Sequence, residues 1–455
     1  MLFRQSCVRE VTRDTITEAW GTMPEDIVAV FQGSGVLAAG FDATGMQGLN
    51  FRIGQYPDTA SVVHPDMLLR DNLHLYHSDA LSRHYRQNRT VPGPERPDWM
   101  PMPLGWLDYM LEIDGERYDT RAIRQQARDW RRVFSPRTGL VRTAFSLAGV
   151  RIRWQCNIMP DSYAFDFAFG IESDRSVNLV LPVRCHQALR DGQPLATGGL
   201  ETTLATDHVC RTWQASTDTS TADVHRPVAV TWALACADAA EYSETDECIV
   251  MRWTGAGETL QTGLRVVCGS DRAGTHTAEY VTEQVGALRH RGIETSLRET
   301  AAAWAEYGEH GLDIEIGDPE KEFLTSQQQY LLRAGQSWFN GLFSGNIWSQ
   351  RFHGRTFWDA FFMADGMLRT GQVEKVREFA DWLVRTMRPD GRPHMWMTHW
   401  DGTPGTLGDT AAWFVNLNFA AVQIRLYEHT ADHDDLETRT FPYLRRVAAF
   451  IVDEV

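Results

Sequence analysis

Two short stretches concentrate the side chains that could do chemistry. The first, SGNIWSQRFHGRTFWDAFFMADGML (344–368), crowds Trp348, Arg351, His353, Arg355, Phe357, Trp358 and Asp359 into twelve positions just before an apolar helical pattern. The second, RPDGRPHMWMTHWDGTPG (388–405), carries His394, Trp396, His399, Trp400 and Asp401 between two helical patterns. Flat aromatic faces suit the C–H faces of a pyranose, and fixed carboxylate or guanidinium groups suit its hydroxyls. Both stretches offer that pairing. The rival reading makes Asp359 a helix cap and the aromatics core. On residue types alone the two readings of the first stretch stand level.

Other chemistries fare worse. His394 and His399 lie five apart, but no third ligand of suitable spacing stands nearby, so no metal is expected. The run FQGSGVLAAG contains Gly33-x-Gly35-x-x-Ala38 after a strand pattern, formally a dinucleotide fingerprint. That motif needs a helix next, whereas Gly40, Gly45 and Gly48 follow here, so a glycine turn between strands is preferred. No nucleophile elbow, phosphate loop or zinc-binding helix is found.

Two kinds of element must position these stretches. From about residue 11 to 285 the chain reads as short β-forming runs between turn residues. VRIRWQCNI, SYAFDFAFGIES, VNLVLPVR, VAVTWALA and GLRVVCG are examples, and together they predict a large antiparallel β-sandwich. Segment 69–103, rich in Pro, Asp and Arg, reads as long loops. The period then turns helical. Val281–His310 repeats apolar residues near every 3.6 positions, and Asp318 followed by Pro319 opens a helix through EKEFLTSQQQYLLRAG. Further helices are expected at 360–370, 373–387, 410–430 and 441–455. Leu444, Val447, Ala448, Phe450 and Ile451 make one apolar face with nothing afterwards to cover it. The expected division is a β-sandwich over 1–285, a helical linker over 286–317, and the N-terminal part of a helical barrel over 318–455.

Bulk properties narrow the function. A formal net charge of −16 argues against nucleic acid, and the arginine clusters at 121–132 and 142–153 read as solvated faces. No run approaches the roughly 18 apolar residues of a membrane helix, and the first residues lack the apolar core of a signal peptide. The seven cysteines are odd in number and without CxxC spacing, which predicts reduced, buried thiols and a cytoplasmic setting.

Four stretches together resemble glycoside hydrolase family 65, which includes maltose, kojibiose, nigerose and trehalose phosphorylases and some hydrolases. They are QGSGVLAAG, RTGLVRTAFSLAGVRIRWQCNIMPDSYAF, TAAAWAEYGEHGLDIEIGDPEKEFLTSQQQYLL and, above all, HGRTFWDAFFM. The last is similar to that family's glycine–x–x–phenylalanine–tryptophan–aspartate signature. WFVNLNFAAVQIRLYEHTADHDDL resembles the barrel helix before the family's catalytic loop.

The resemblance implies an incomplete (α/α)6 barrel whose Phe357, Trp358 and Asp359 hold the glycosyl unit, with Asp359 accepting bonds from sugar hydroxyls. It implies inverting cleavage of an α-glucoside, with inorganic phosphate as co-substrate in a phosphorylase and no other cofactor. The chain departs from the family in reading Ala360–Phe361 where Thr-Glu usually follows the aspartate. The family's general-acid glutamate lies in a loop after the helix matching Phe441–Val455, so the general acid is expected beyond Val455. Phosphorolysis and hydrolysis therefore both stay open. The partners implied are a small α-glucoside, a second chain or C-terminal fragment completing the barrel, and a homodimer. A non-catalytic sugar-binding or regulatory protein with a degenerate barrel is the reading from another class.

Overall fold

The computed structural model describes residues 8–24, 30–33, 37–41, 43–44, 48–53, 102–103, 105–107, 109–160, 162–185, 189–190, 193–194, 198–215, 228–245, 248–270, 275–334, 359–391 and 413–454. Segment 69–101 lies outside them.

The β half is built around two long antiparallel strands, Ala164–Cys185 and Cys248–Ser270, paired along nearly their whole length. Their register shifts near Ser173, where Ser173 faces Gly257 and Val177 faces Gly255. That irregularity lets each strand serve two layers. The first half of Ala164–Cys185 pairs with Val150–Ile158, and through it joins Leu140–Leu147 and Arg128–Ser135. The second half of Ala164–Cys185 pairs with Gly105–Leu107 and Met110–Ile113.

The inner faces then meet. Phe41, from the strand Leu37–Phe41, packs edge-on against Phe165 and Phe167 at 5.5 and 5.6 Å, and Tyr109 meets Trp154 at 5.4 Å. The layers are antiparallel and enclose one core dominated by aromatic and branched residues. At Val30–Gly33 the strand turns back to pair with Leu37–Phe41, Gly33 opposite Ala38. The glycine run thus lies in a strand hairpin, as the glycine-turn reading expects.

Alternation along Ala164–Ile171 explains how helices cover this half. Phe165, Phe167, Phe169 and Ile171 face the sandwich core, while the intervening Ala164, Asp166 and Ala168 are also buried. The small residues form a shallow bed for two helices, following a short α1 at Thr120–Gln126. These are α2 (Ala278–Arg291) and α3 (Ile293–Glu309), whose Val281, Val285, Leu288, Ile293 and Leu297 lie on the bed. Gly263 is obligatory there: a Cβ on it would stand 2.5 Å from the Ile293 Cβ. The single helical stretch expected over Val281–His310 divides at Gly292, whose φ of +74° ends α2 and starts α3.

The helical half follows as α4 (Pro319–Ala334), α5 (Asp359–Arg369), α6 (Val373–Thr386), α7 (Trp413–Thr430) and, after a short helical turn and a π-turn over 433–440, α8 (Phe441–Glu454). The Asp318 side chain accepts from the Lys321 amide at 3.3 Å, so Asp318 caps α4 and Pro319 is its first residue. Trp382, Phe379, Phe419, Val422 and Tyr443 centre the apolar core of this half.

Two expectations need correction. Val447 and Phe450, assigned from the sequence to an uncovered stripe, are buried, and Leu444 and Ile451 are half-covered by the same core. Val447 joins the core built by α5, α6 and α7, and Phe450 lies beside Gly391 at the end of the turn that follows α6. What α8 leaves open is a different face, with Phe441 and Val452 exposed. Arg132, assigned to a solvated arginine face, is buried, ion-paired to Glu18 at 2.7 Å and stacked 5.5 Å over the Trp130 ring.

Among the described residues no helix is long and apolar enough to cross a membrane. Five cysteines are described as free, and Cys156, Cys210, Cys236 and Cys268 are buried. Burial pushes the Cys210 thiol up to about 11, and those of Cys156 and Cys268 well above the ordinary range. Alkylation of native protein at neutral pH should therefore modify half-buried Cys248 before any of these four. Peptide mass spectrometry after timed quenching reads the order, and faster labelling of Cys210 would contradict the packing. In denaturant all seven thiols of the sequence should titrate.

Candidate functional site

The helical half has a definable end, and both candidate stretches attach to it. The α5–α6 connection is only Thr370–Gln372, closed by Gln372 N donating to Met367 O and by Gly371 at φ +78°, so the two helices run antiparallel. Helix α7 reverses through Ala431 (φ +52°) and Asp432 into the helical run ending in α8. Two contacts orient that run. Arg439 donates to Asp381 at 2.8 Å, and Arg446 donates to the Arg388 carbonyl at 2.6 Å. Residue numbers rise together along both partners, so α8 is parallel to α6.

It follows that α5 and α7 are parallel. Their N-termini lie at the same end of the layer as the C-terminus of α6. Segment 335–358 enters α5 at that end, and 392–412 leaves beyond α6 and enters α7 there. The first turns of α5 and α7 thus lie at that end, and helix N-termini favour oxygen acceptors.

Asp359 opens α5. The side chain of Asp359 and the residues Trp348, Arg351, His353, Phe357, Trp358, His394 and Trp396 lie outside the described portion, as do Arg355, His399, Trp400 and Asp401. Their mutual distances are therefore not part of the geometry. On α5, Ala364, Met367 and Leu368 are buried, whereas Phe362 is 66% exposed. Phe362 thus lies on a face of α5 turned away from this half's core. Phe361 packs against that core and meets Phe362 edge-on at 5.3 Å.

The groups that tie these helices to one another are polar. Asp365 pairs with Arg369 at 2.8 Å and approaches Arg425 of α7 at 3.8 Å, tying α5 to α7. Gln423 donates to the Ala380 carbonyl at 2.9 Å, tying α7 to α6. Asn416, in the first turns of α7, is fully buried, and among the described residues neither amide atom has a hydrogen-bond partner. A carboxamide buried in that way needs partners from whatever lies beside it. Sequence reading passed over Asn416. Its signal was a lone carboxamide pair, Asn416 and Asn418, inside the apolar run WFVNLNF. Among the described residues no group of three His, Cys, Asp or Glu could hold a metal ion.

The fold has solved counterparts. The chain is similar to a protein assigned as a kojibiose phosphorylase, from the human microbiome, with TM-score 0.68 and 11% identity over 98% of this chain and 60% of that one. A family GH92 α-mannosidase from Bacteroides thetaiotaomicron aligns with TM-score 0.41 and 10% identity over 92% of this chain and 54% of its own. No protein-family model matches the chain, and no curated protein does. The architecture, a large antiparallel β-sheet followed by helices, is thus that of the glycoside-phosphorylase kind of fold. The chain spans 60% of that phosphorylase's length.

Proposed function

We propose that this chain is the sugar-holding part of a carbohydrate-active enzyme that cleaves an α-glucosidic bond with inversion. The observation that carries the reading is the convergence just described. Two stretches rich in Trp, His, Arg and Asp attach to one end of a parallel helix pair, in a fold similar to that of a kojibiose phosphorylase. In this reading Asp359 accepts bonds from the hydroxyls of the terminal sugar, and Phe357 and Trp358 cover its apolar face. Trp348, Arg351, His353, His394 and Trp396 line the same pocket.

Inversion needs a proton donor at the glycosidic oxygen and a nucleophile at the opposite face of the anomeric carbon. As the bond breaks, its electron pair goes to the leaving oxygen, which takes the donor's proton. Phosphate is already anionic and attacks without a base, whereas water needs a carboxylate to remove its proton. Neither the donor nor the nucleophile is assigned to a residue of the described portion. Half-exposed Leu417 and Ile424, seven apart on α7, form an apolar edge of this half.

A second reading is a chain that binds the sugar without cleaving it. Binding is common to both, so binding is the test. Asp359→Asn should weaken the affinity for maltose or kojibiose at least about tenfold in calorimetric titration, roughly 1.4 kcal/mol. The melting temperature should hardly move. Unchanged affinity would sink the assignment of Asp359. Failure of the unsubstituted chain to bind any of maltose, kojibiose, nigerose and trehalose would sink the pocket itself.

A further inference from the structure

A trough walled by arginines crosses the outer face of the sandwich. On Leu140–Leu147, Phe145 and Leu147 are buried in the core, so the alternating Ala144 and Ser146 lie on the opposite face, half-buried. Their neighbours across the sheet are arginines. Ala144 stands between Arg131 of Arg128–Ser135 and Arg153 of Val150–Ile158, and Ser146 stands between Arg128 and Arg151. All four arginines are exposed, as is Arg142, which closes one end two positions before Ala144. Small residues therefore make the floor, and cations make both walls.

The charge is concentrated. These three strands carry six arginines and one acid, Asp129, in a chain whose formal net charge is −16. Arg128 donates to the Gln125 and Ala127 carbonyls, Arg142 to Gln155, and Arg153 pairs with Glu172. Among the described residues Arg131 and Arg151 make no hydrogen bond or ion pair. Like charges gathered this closely repel one another, so the trough is set up for an anionic occupant.

We infer that the trough docks an extended acidic segment of a partner protein, with carboxylates at alternate positions, independently of the sugar reading. An extended peptide turns every second side chain to one face, about 6.6–6.8 Å apart, which is also the separation of Ala144 and Ser146 along their own strand. A carboxylate set over Ala144 lies between Arg131 and Arg153, and the next, over Ser146, lies between Arg128 and Arg151. Neighbouring strands are about 4.8 Å apart, so each carboxylate has a guanidinium in reach on either side. The planar fork of arginine suits a carboxylate. No floor or wall residue is aromatic, so nothing there stacks on a base or a pyranose, and a peptide is favoured over nucleic acid or polysaccharide.

A fluorescently labelled Glu-Thr-Glu-Thr-Glu-Thr peptide should bind the full chain at low ionic strength and weaken as salt is added. Glu-Glu-Glu-Thr-Thr-Thr, of equal charge, should bind at least about threefold more weakly. Arg131→Glu with Arg151→Glu should weaken the alternating peptide at least about tenfold, with an unchanged melting temperature. Ala144→Leu fills the floor without altering charge and should abolish the preference between the two peptides. Arg445→Glu, exposed on α8, should change nothing. Absence of binding at low salt overturns the proposal, as does affinity indifferent to the paired arginine substitutions or equal affinity for the two peptides. Tighter binding of a sulfated polysaccharide or single-stranded DNA of equal charge also overturns it. Maltose and kojibiose affinities should be the same in all these variants, so the trough and the sugar pocket fail separately.

Discussion

Arg265→Ala should cost roughly 3–5 kcal/mol of unfolding free energy, a large share of what holds a typical domain together. Arg265 stands on the long strand Cys248–Ser270 and is buried with Asp166 and Ser296. Its guanidinium donates twice to the Asp166 carboxylate, at 2.7 and 2.8 Å. It also donates to the Gln284 carbonyl of α2 at 2.8 Å and to the Ser296 hydroxyl of α3 at 3.1 Å. Ser296 in turn donates to Asp166. One side chain thus bonds two strands and two helices.

Removing it strands a buried carboxylate, and the penalty for an unpaired buried charge exceeds the worth of the pair itself. The double substitution Asp166→Leu with Arg265→Met removes both charges and should therefore lose less than Arg265→Ala alone. Urea denaturation followed by tryptophan fluorescence measures all three. An Arg265→Ala loss under about 1 kcal/mol would mean that water reaches Asp166 and that the packing of α2 and α3 is looser than described.

Trp304→Ala should cost a similar 3–5 kcal/mol, the usual loss for a buried tryptophan. Trp304 sits on α3, fully enclosed, and its indole N–H donates to the Ile158 carbonyl at 2.8 Å. Its ring lies 4.8 Å from Tyr330 of α4, and with Phe134, Val141 and Phe323 it forms the cluster joining the β half to the helical half. Gly139 makes room: with φ +63°, a Cβ there would approach the indole to 2.8 Å. Gln32 and Asn157 bond the adjoining turn at Gly139 O and Thr138 O.

Trp304→Ala empties the centre of that joint, so amide exchange should accelerate in α4 more than in the distant strands. Trp304→Phe keeps most of the ring but leaves the Ile158 carbonyl without its donor. It should lie between the two. Equal protection of α4 in Trp304→Ala and the unsubstituted protein would refute the joint.

Much of the architecture could be read locally. Strands such as Val150–Ile158 and helices such as α4 and α6 begin and end near where hydrophobic period, Pro319 and Asp318 place them. The resemblance around HGRTFWDAFFM pointed to a fold that the likeness to a phosphorylase structure supports. The sugar site is legible only as two clusters of residue types. Residue types state which groups could bind a sugar, but not their distances, and the described geometry adds only that both clusters attach to one end.

By itself, the sequence determined the order and kind of elements, because hydrophobic period, caps and turn residues act over a few positions. Its net charge of −16 argues against a nucleic-acid partner, because net charge is a property of composition. Only the tertiary structure decided which polar residues are buried. Asp166 and Arg265 alternate with apolar neighbours as a solvated strand face would. They are interior because α2 and α3, contributed more than a hundred residues after Asp166, lie over that face. Arg132 is the same case, covered through Glu18 and Trp130. On α8 the outcome reverses: Val447 and Phe450 are covered and Phe441 and Val452 are not. A helix displays all its faces equally in sequence, and which one is buried depends on where its neighbours arrive, here α6 and α7 on one side only.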